Sequence, residues 1–209
     1  MKNRIVPFAC STALAVAFTV SLPRPAHAER VTPPSVPAGI EVPAGNRAFL
    51  VGHAVGSQNY VCLPSGSGFA WTLFTPQATL FTSHGRQLIT HFFSPNPFEG
   101  ETIRPAWQHS RDTSTVWARL FAPPSSDSAF VKPGAIPWLL LEVVPPPDGP
   151  RGGGALSATS FIQRVNTSGG VAPSEGCLAP ANVGRTAFVP YTADYYFFVA
   201  EANDEDEGN

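Results

Sequence analysis

The 209-residue chain carries 13 Lys+Arg against 15 Asp+Glu, only 13% charged residues, 11% aromatics, 18 Gly and 23 Pro. That balance excludes a coiled coil and an acidic disordered chain. The weak basic content also excludes a surface built to neutralise nucleic-acid phosphates.

The chain starts with Lys2 and Arg4, continues through the uncharged "IVPFACSTALAVAFTV", and reaches "PRPAHA" with small residues at Ala26 and Ala28. This is the three-part layout of a secretory signal peptide over residues 1–28, with cleavage expected after Ala28. The apolar run is short for a spanning helix and is interrupted by Pro7 and Pro23, so no membrane span is expected once the leader is gone. The location expected is secreted or periplasmic. Losing Lys2, Arg4 and Arg24 with the leader leaves ten basic residues against fifteen acidic ones. The whole acidic excess lies in the tail, residues 201–209, at Glu201, Asp204, Glu205, Asp206 and Glu207. Such a run reads as a solvated, disordered end.

Cys10 leaves with the leader, so Cys62 and Cys177 remain. An even pair in an exported chain reads as a disulfide. A thiolate metal site would need CxxC or a nearby His cluster, and a cysteine nucleophile would need its partner to stay free. Neither condition fits, and no metal or other cofactor is expected.

After a proline-rich extended arm at residues 29–45, the pattern changes to alternation. "RAFLVGHAV", "NYVCL", "FAWTLFT", "ATLFT" and "QLITHFF" come first, then "STVWARLF", "IPWLLLEVV", "LSATSFIQRV", "TAFVP" and "DYYFFVA". Gly, Pro and Ser punctuate them. Roughly nine short strands at this cadence predict an all-β, single-domain antiparallel sandwich or barrel over 46–200, with little helix. The continuous apolar run in "IPWLLLEVV" predicts a strand buried on both faces. "VVPPPDGPRGGG", 143–154, is the one long loop, an exposed linker or a flap.

Several segments together carry a resemblance. They are "VGHAVGSQNYVC" (51–62), "WTLFTPQATLF" (71–81), "IPWLLLEV" (136–143), "FIQRVNTSGGVAPSEGC" (161–177) and "VPYTADYYFF" (189–198). The set resembles an exported bacterial and fungal family known as domain-of-unknown-function family 3455. The resemblance implies export, a β-rich domain and paired cysteines, and it implies no reaction. The family pattern of a His, a Pro-x-Trp and an Asp-Gly-Ser maps onto His91, Pro105 to Trp107 and Asp112 to Ser114. Here the first gap, "FFSPNPFEGETIR", is longer than the family pattern and "DTS" replaces Asp-Gly-Ser.

The remaining chemistry is sparse. The mature histidines, His53, His84, His91 and His109, lack the His-x-His spacing of a strand-borne metal site. "SGSG" at 65–68 is not a Gly-x-Ser-x-Gly elbow. Glu99, Glu101, Asp112, Asp127 and Glu142 are too scattered to nominate a carboxylate pair. "GPRGGG" has no Gly-Lys-Ser/Thr. The densest polar-aromatic cluster is "RPAWQHSRDTSTVW". Its Trp107, Gln108, His109, Arg111, Asp112 and Trp117, with Gln58 and Tyr60 as a further polar edge, are the candidate binding residues. The competing expectation is that both tryptophans are core and the Arg–Asp pair braces a turn. "NTS" at Asn166 is an N-glycosylation acceptor in a host that glycosylates.

The leading expectation is a non-enzymatic binding or surface-associated module with a carbohydrate or envelope ligand. The alternatives are an extracellular hydrolase using His91 or His109 with Asp112, and a purely structural secreted protein. A deep pocket holding perturbed histidines would favour the hydrolase, and a shallow tryptophan-lined groove the binder.

Overall fold

A computed structural model describes residues 31–144 and 153–201. The expected leader, the middle of the 143–154 loop and the tail beyond Glu201 lie outside the described residues. Eight antiparallel strands follow one another: β1 (Asn46–Ser65), β2 (Gly68–Phe81), β3 (Gln87–Asn96), β4 (Thr102–His109), β5 (Thr115–Leu120), β6 (Leu139–Val143), β7 (Thr159–Gly169) and β8 (Thr186–Ala200). Each pairs with the next, and β8 pairs back onto β1 to close a barrel. Among the described residues the only helical pieces are the short 3₁₀ turns Ala38–Ile40 and Pro180–Asn182. Closure removes the exposed strand edges that an open sheet would present.

The ten quoted segments, expected as roughly nine strands, become eight because three pairs of them are continuous and β4 is added. β1 runs straight through Gly56, which the sequence offered as punctuation. A side chain at Gly56 would collide with the backbone of Gln77 and Ala78 on β2, so this glycine marks a close approach of strands. β2 runs through Pro76 opposite Gln58, next to a register shift at Asn59/Tyr60. β8 runs through Pro190 opposite Ser57. β4, which includes Pro105, joins the set although its polar-aromatic sequence gave no strand signal. Proline is tolerated in a strand where no ladder hydrogen bond needs its missing N–H.

Alternation gives the wall two faces. Ala54, Leu80, Ile89, Ala118, Ile162 and Phe197 belong to the cluster inside the barrel, joined by Leu156 from the turn before β7. A second cluster of Ile40, Val131, Trp138, Leu140 and Val165 forms on the outside. There the arm and the 121–138 connection cover β6 and β7, and the Gln163 amide donates to the Ile40 carbonyl at 2.8 Å. β6 is therefore buried on both faces, with Leu141 in the inner cluster and Leu140 in the outer.

The Cys62–Cys177 disulfide is formed, with Cα atoms 5.5 Å apart and a separation of 115 positions in sequence. It ties the 170–185 connection to the end of β1. The Trp71 indole N–H adds a bond to the Glu175 carbonyl at 2.9 Å, and the Cys62 amide bonds the Arg185 carbonyl at 2.9 Å.

Candidate functional site

The turns β2–β3 and β4–β5 and the chain before β7 share one end of the barrel, which the inner cluster fills. Toward the other end the interior opens into a cavity of about 640 Å³. Its apolar wall comes from inward positions such as Leu73, Phe93, Pro105, Leu139 and Leu141, with Ile136 reaching in from the connection before β6. Gln58, Tyr60, His91, Trp107, Arg164 and Tyr195 supply the polar part. The register explains the grouping. Leu139 stands opposite Arg164, Arg164 opposite Tyr195, and His91 opposite Trp107.

The His91 ring stacks on Trp107 with centroids 4.3 Å apart and planes 10° from parallel. Tyr195 meets the edge of Trp107 at 5.8 Å. His91 Nδ1 lies 2.9 Å from the Ala106 carbonyl. A carbonyl only accepts, so the proton sits on Nδ1 and Nε2 keeps its lone pair. Burial lowers the His91 pKa to about 3, opposed by the Ala106 bond and assisted by the charge of Arg164. The ring is therefore neutral under ordinary conditions. Burial also raises the phenol pKa values of Tyr60 and Tyr191. The Tyr60 hydroxyl donates to the Gly170 carbonyl at 2.7 Å, and the Tyr191 and Tyr195 hydroxyls lie 3.3 Å apart.

Three arginines reach the cavity in different electrostatic states. Arg104 holds Glu99 with two bonds of 2.9 Å, and this pairing lowers the Glu99 pKa. Arg119 holds Glu142 at 2.6 Å. Arg164 gives one N–H to the Pro137 carbonyl at 2.8 Å and has no carboxylate partner among the described residues. Its Nε–H, the Gln58 amide nitrogen and the Trp107 indole N–H are buried without a hydrogen-bond partner. Among the described residues only Trp138 Nε1 shares that condition outside this cavity. An unsatisfied buried donor costs about 1–3 kcal/mol.

Of the eight candidate binding residues, the structure gathers Gln58, Tyr60 and Trp107 on the cavity wall. The other five lie elsewhere. Gln108 faces outward and donates to Thr115 at 3.1 Å. Trp117 also faces outward, with its indole N–H on Ser94 at 2.8 Å and its ring against Phe98. His109, Arg111 and Asp112 sit at the β4–β5 turn, at the filled end. There Asp112 accepts from the Ala155 amide at 2.7 Å and from the Ser114 hydroxyl at 2.8 Å, and lies 3.0 Å from His109 Nδ1. The Ala155 amide is the main reason its pKa drops to about 2, with the Ser114 bonds and His109 adding to it. Ser114 in turn accepts from the Leu156 amide at 3.1 Å, which seats Leu156 in the inner cluster. Arg111 is exposed.

The other histidines are also distributed. His53 lies on the outer face, 2.7 Å from Asp194, and Asn166 donates to the same carboxylate at 2.8 Å. His84 is in the β2–β3 turn beside Ser83. Among the described residues no three His, Cys, Asp or Glu side chains group as a metal site would require. The residue missed in the sequence is Arg164. Its signal was present in "FIQRV", where a lone cation shares the inward parity of Ile162.

A family model described as "Protein of unknown function (DUF3455)" matches residues 43–199. The chain belongs to the DUF3455 family. No curated protein and no solved structure matches it. The DUF3455 match spans the barrel from before β1 to the penultimate residue of β8, with the cavity and the disulfide inside it. The residues that carried the resemblance divide between two places in this DUF3455 barrel. His91 and Pro105 to Trp107 build the cavity wall, while Asp112 to Ser114 build the clamp at the filled end. The long stretch between His91 and Pro105 forms the β3–β4 hairpin at the open end.

Proposed function

We propose that the protein is an exported binding module that holds one small molecule in the open half of its barrel. The observation that carries this is a cavity of about 640 Å³ lined mainly by apolar side chains, with Gln58, His91, Trp107 and Arg164 as its polar part. Sites for small ligands are concave, mainly apolar, and fixed by a few polar groups. Eight-stranded barrels have an interior of the size to hold one such ligand. The secretory layout of residues 1–28 and the Cys62–Cys177 disulfide support export. Among the described residues no helix is long and apolar enough to cross a membrane.

The cavity is deep and contains a perturbed histidine, the combination set out above as favouring a hydrolase. The direction of the shift argues otherwise. A general base works best with a pKa near the working pH, and His91 is pushed down to about 3. Its Nδ1 is engaged by a backbone carbonyl rather than by an orienting carboxylate. The cavity wall has no serine, threonine, cysteine, aspartate or glutamate among the described residues. A carbohydrate is also less well served than an apolar envelope molecule, because one face of Trp107 is covered by His91 and most of the wall offers no hydrogen bonds.

The test is the Trp107 indole N–H resonance, followed while small apolar acids, apolar alcohols and soluble glycans are added. A saturable shift with one class supports the binding module. No saturable shift with any class contradicts it.

A further inference from the structure

The cavity has an uneven supply of hydrogen-bonding groups. The charged side chains that line it are Arg104, Arg119 and Arg164, whose guanidinium groups donate and cannot accept. A neutral sugar hydroxyl brings a donor with every acceptor, so it would add donors to a wall already in excess. A carboxylate brings acceptors only.

Charge points the same way. Arg104 and Arg119 are neutralised by Glu99 and Glu142. Arg164 is half-buried, spends one N–H on the Pro137 carbonyl, and faces no carboxylate among the described residues. A cation held away from water without a counter-charge is costly, and an anion beside it recovers part of that cost. Guanidinium matches a carboxylate in geometry as well as charge. The wall around it, including Leu139 directly opposite in register, is apolar.

Building on the binding reading above, we infer that the ligand is an amphiphilic organic acid. Its carboxylate sits against the Arg164 guanidinium, and its hydrocarbon body fills the space between Leu73, Phe93, Leu139 and Leu141. Arg164 is thus the specificity residue. Trp107 and His91 form the flat wall behind the head group, with His91 neutral so that it adds no competing cation.

Calorimetric titration of the mature, disulfide-bonded protein with decanoate and with decanol tests this, on the native sequence and on Arg164→Gln. The native protein is expected to bind decanoate at least tenfold more tightly than decanol. Arg164→Gln should weaken decanoate ten- to a hundredfold, as loss of a charge-assisted pair would, and leave decanol unchanged. Arg164→Lys, which keeps the charge without the planar fork, should fall between. Arg86→Gln, which removes an exposed cation in the β2–β3 turn at the filled end, should bind decanoate within about twofold of the native protein. If acid and alcohol bind equally and Arg164→Gln changes neither, the acid assignment fails while the cavity reading stands. If neither compound binds the native protein, the binding reading itself fails. Should Arg164→Gln not fold, the native acid-to-alcohol ratio and Arg164→Lys still decide.

Discussion

The two halves of the barrel are made by the same strands and the same inward alternation, but they are finished differently. In the filled half, Leu80, Ile89, Ile162 and Phe197 are fully buried and Leu156 closes the end. In the open half, the inward positions alternate aliphatic residues with Gln58, His91 and Arg164, and about 640 Å³ is left empty. A half whose inward residues are all hydrocarbon loses packing energy at every void. The open half gives up that packing, keeps donors unpaired, and retains a disulfide beside its hairpins. Packing is concentrated at one end, and the capacity to recognise something else at the other.

This contrast can be attacked at several points. The largest effect is expected from replacing Cys62 and Cys177 by serine. Releasing a loop of more than 100 residues should cost about 4–5 kcal/mol of chain-entropy stabilisation, read by urea denaturation. Next, Phe197→Ala in the filled half should cost about 3–5 kcal/mol. Leu73→Ala on the cavity wall should cost about 1 kcal/mol, because the side chain already borders empty space. Equal losses at the two sites would erase the distinction between the halves.

The titrating groups give a finer comparison. His91 has a lowered pKa in the folded state, about 3, against about 6.5 in an unfolded chain. Its unfolded form therefore binds the extra proton between those values. The contribution to stability is complete above pH 6.5 and is lost as pH falls toward 3, on the order of a few kcal/mol. His91→Phe should flatten the stability profile between pH 6.5 and 4. Asp112, at the filled end, also has a lowered pKa, about 2. Its stabilisation is present above the ordinary aspartate pKa and is lost as pH falls from about 4 toward 2. Asp112→Asn should remove that lower limb and leave the His91 limb in place. Because Asp112 is at the surface, this is the smallest of the expected effects.

Much of the architecture was legible in the sequence because alternation survives in β1, β3, β7 and β8. The disulfide followed from the two cysteines left once the expected leader is set aside. Barrel and sandwich were not separable, because closure depends on β8 returning to β1, a pairing that no local pattern encodes. The prolines misled in a specific way. Pro76, Pro105 and Pro190 read as breaks, yet each lies within a strand. The candidate site was legible only in part. Trp107, Gln108 and Trp117 look like one cluster in sequence, but period-two alternation sends Trp107 inward and the other two outward. Asp112 lies at the turn beyond β4, toward the opposite end from Arg104. Gln58 and Tyr60, two positions apart on β1, meet Trp107 of β4 because the two strands place them at similar heights. Arg164 escaped notice because, without the register that sets it between Leu139 and Tyr195, a single arginine in "FIQRV" looks like an exposed residue.

The central claim is that the open half is a ligand cavity rather than loose packing. The most direct test is titration of the native protein and of Leu73→Trp, which places an indole on the cavity wall, with the fluorescent apolar anion anilinonaphthalene sulfonate. The account predicts saturable binding of one dye per native chain, clearly weaker binding in Leu73→Trp, and an unchanged or higher melting temperature for the variant. Binding that is absent from the native protein, or that is equally tight in Leu73→Trp, would contradict it.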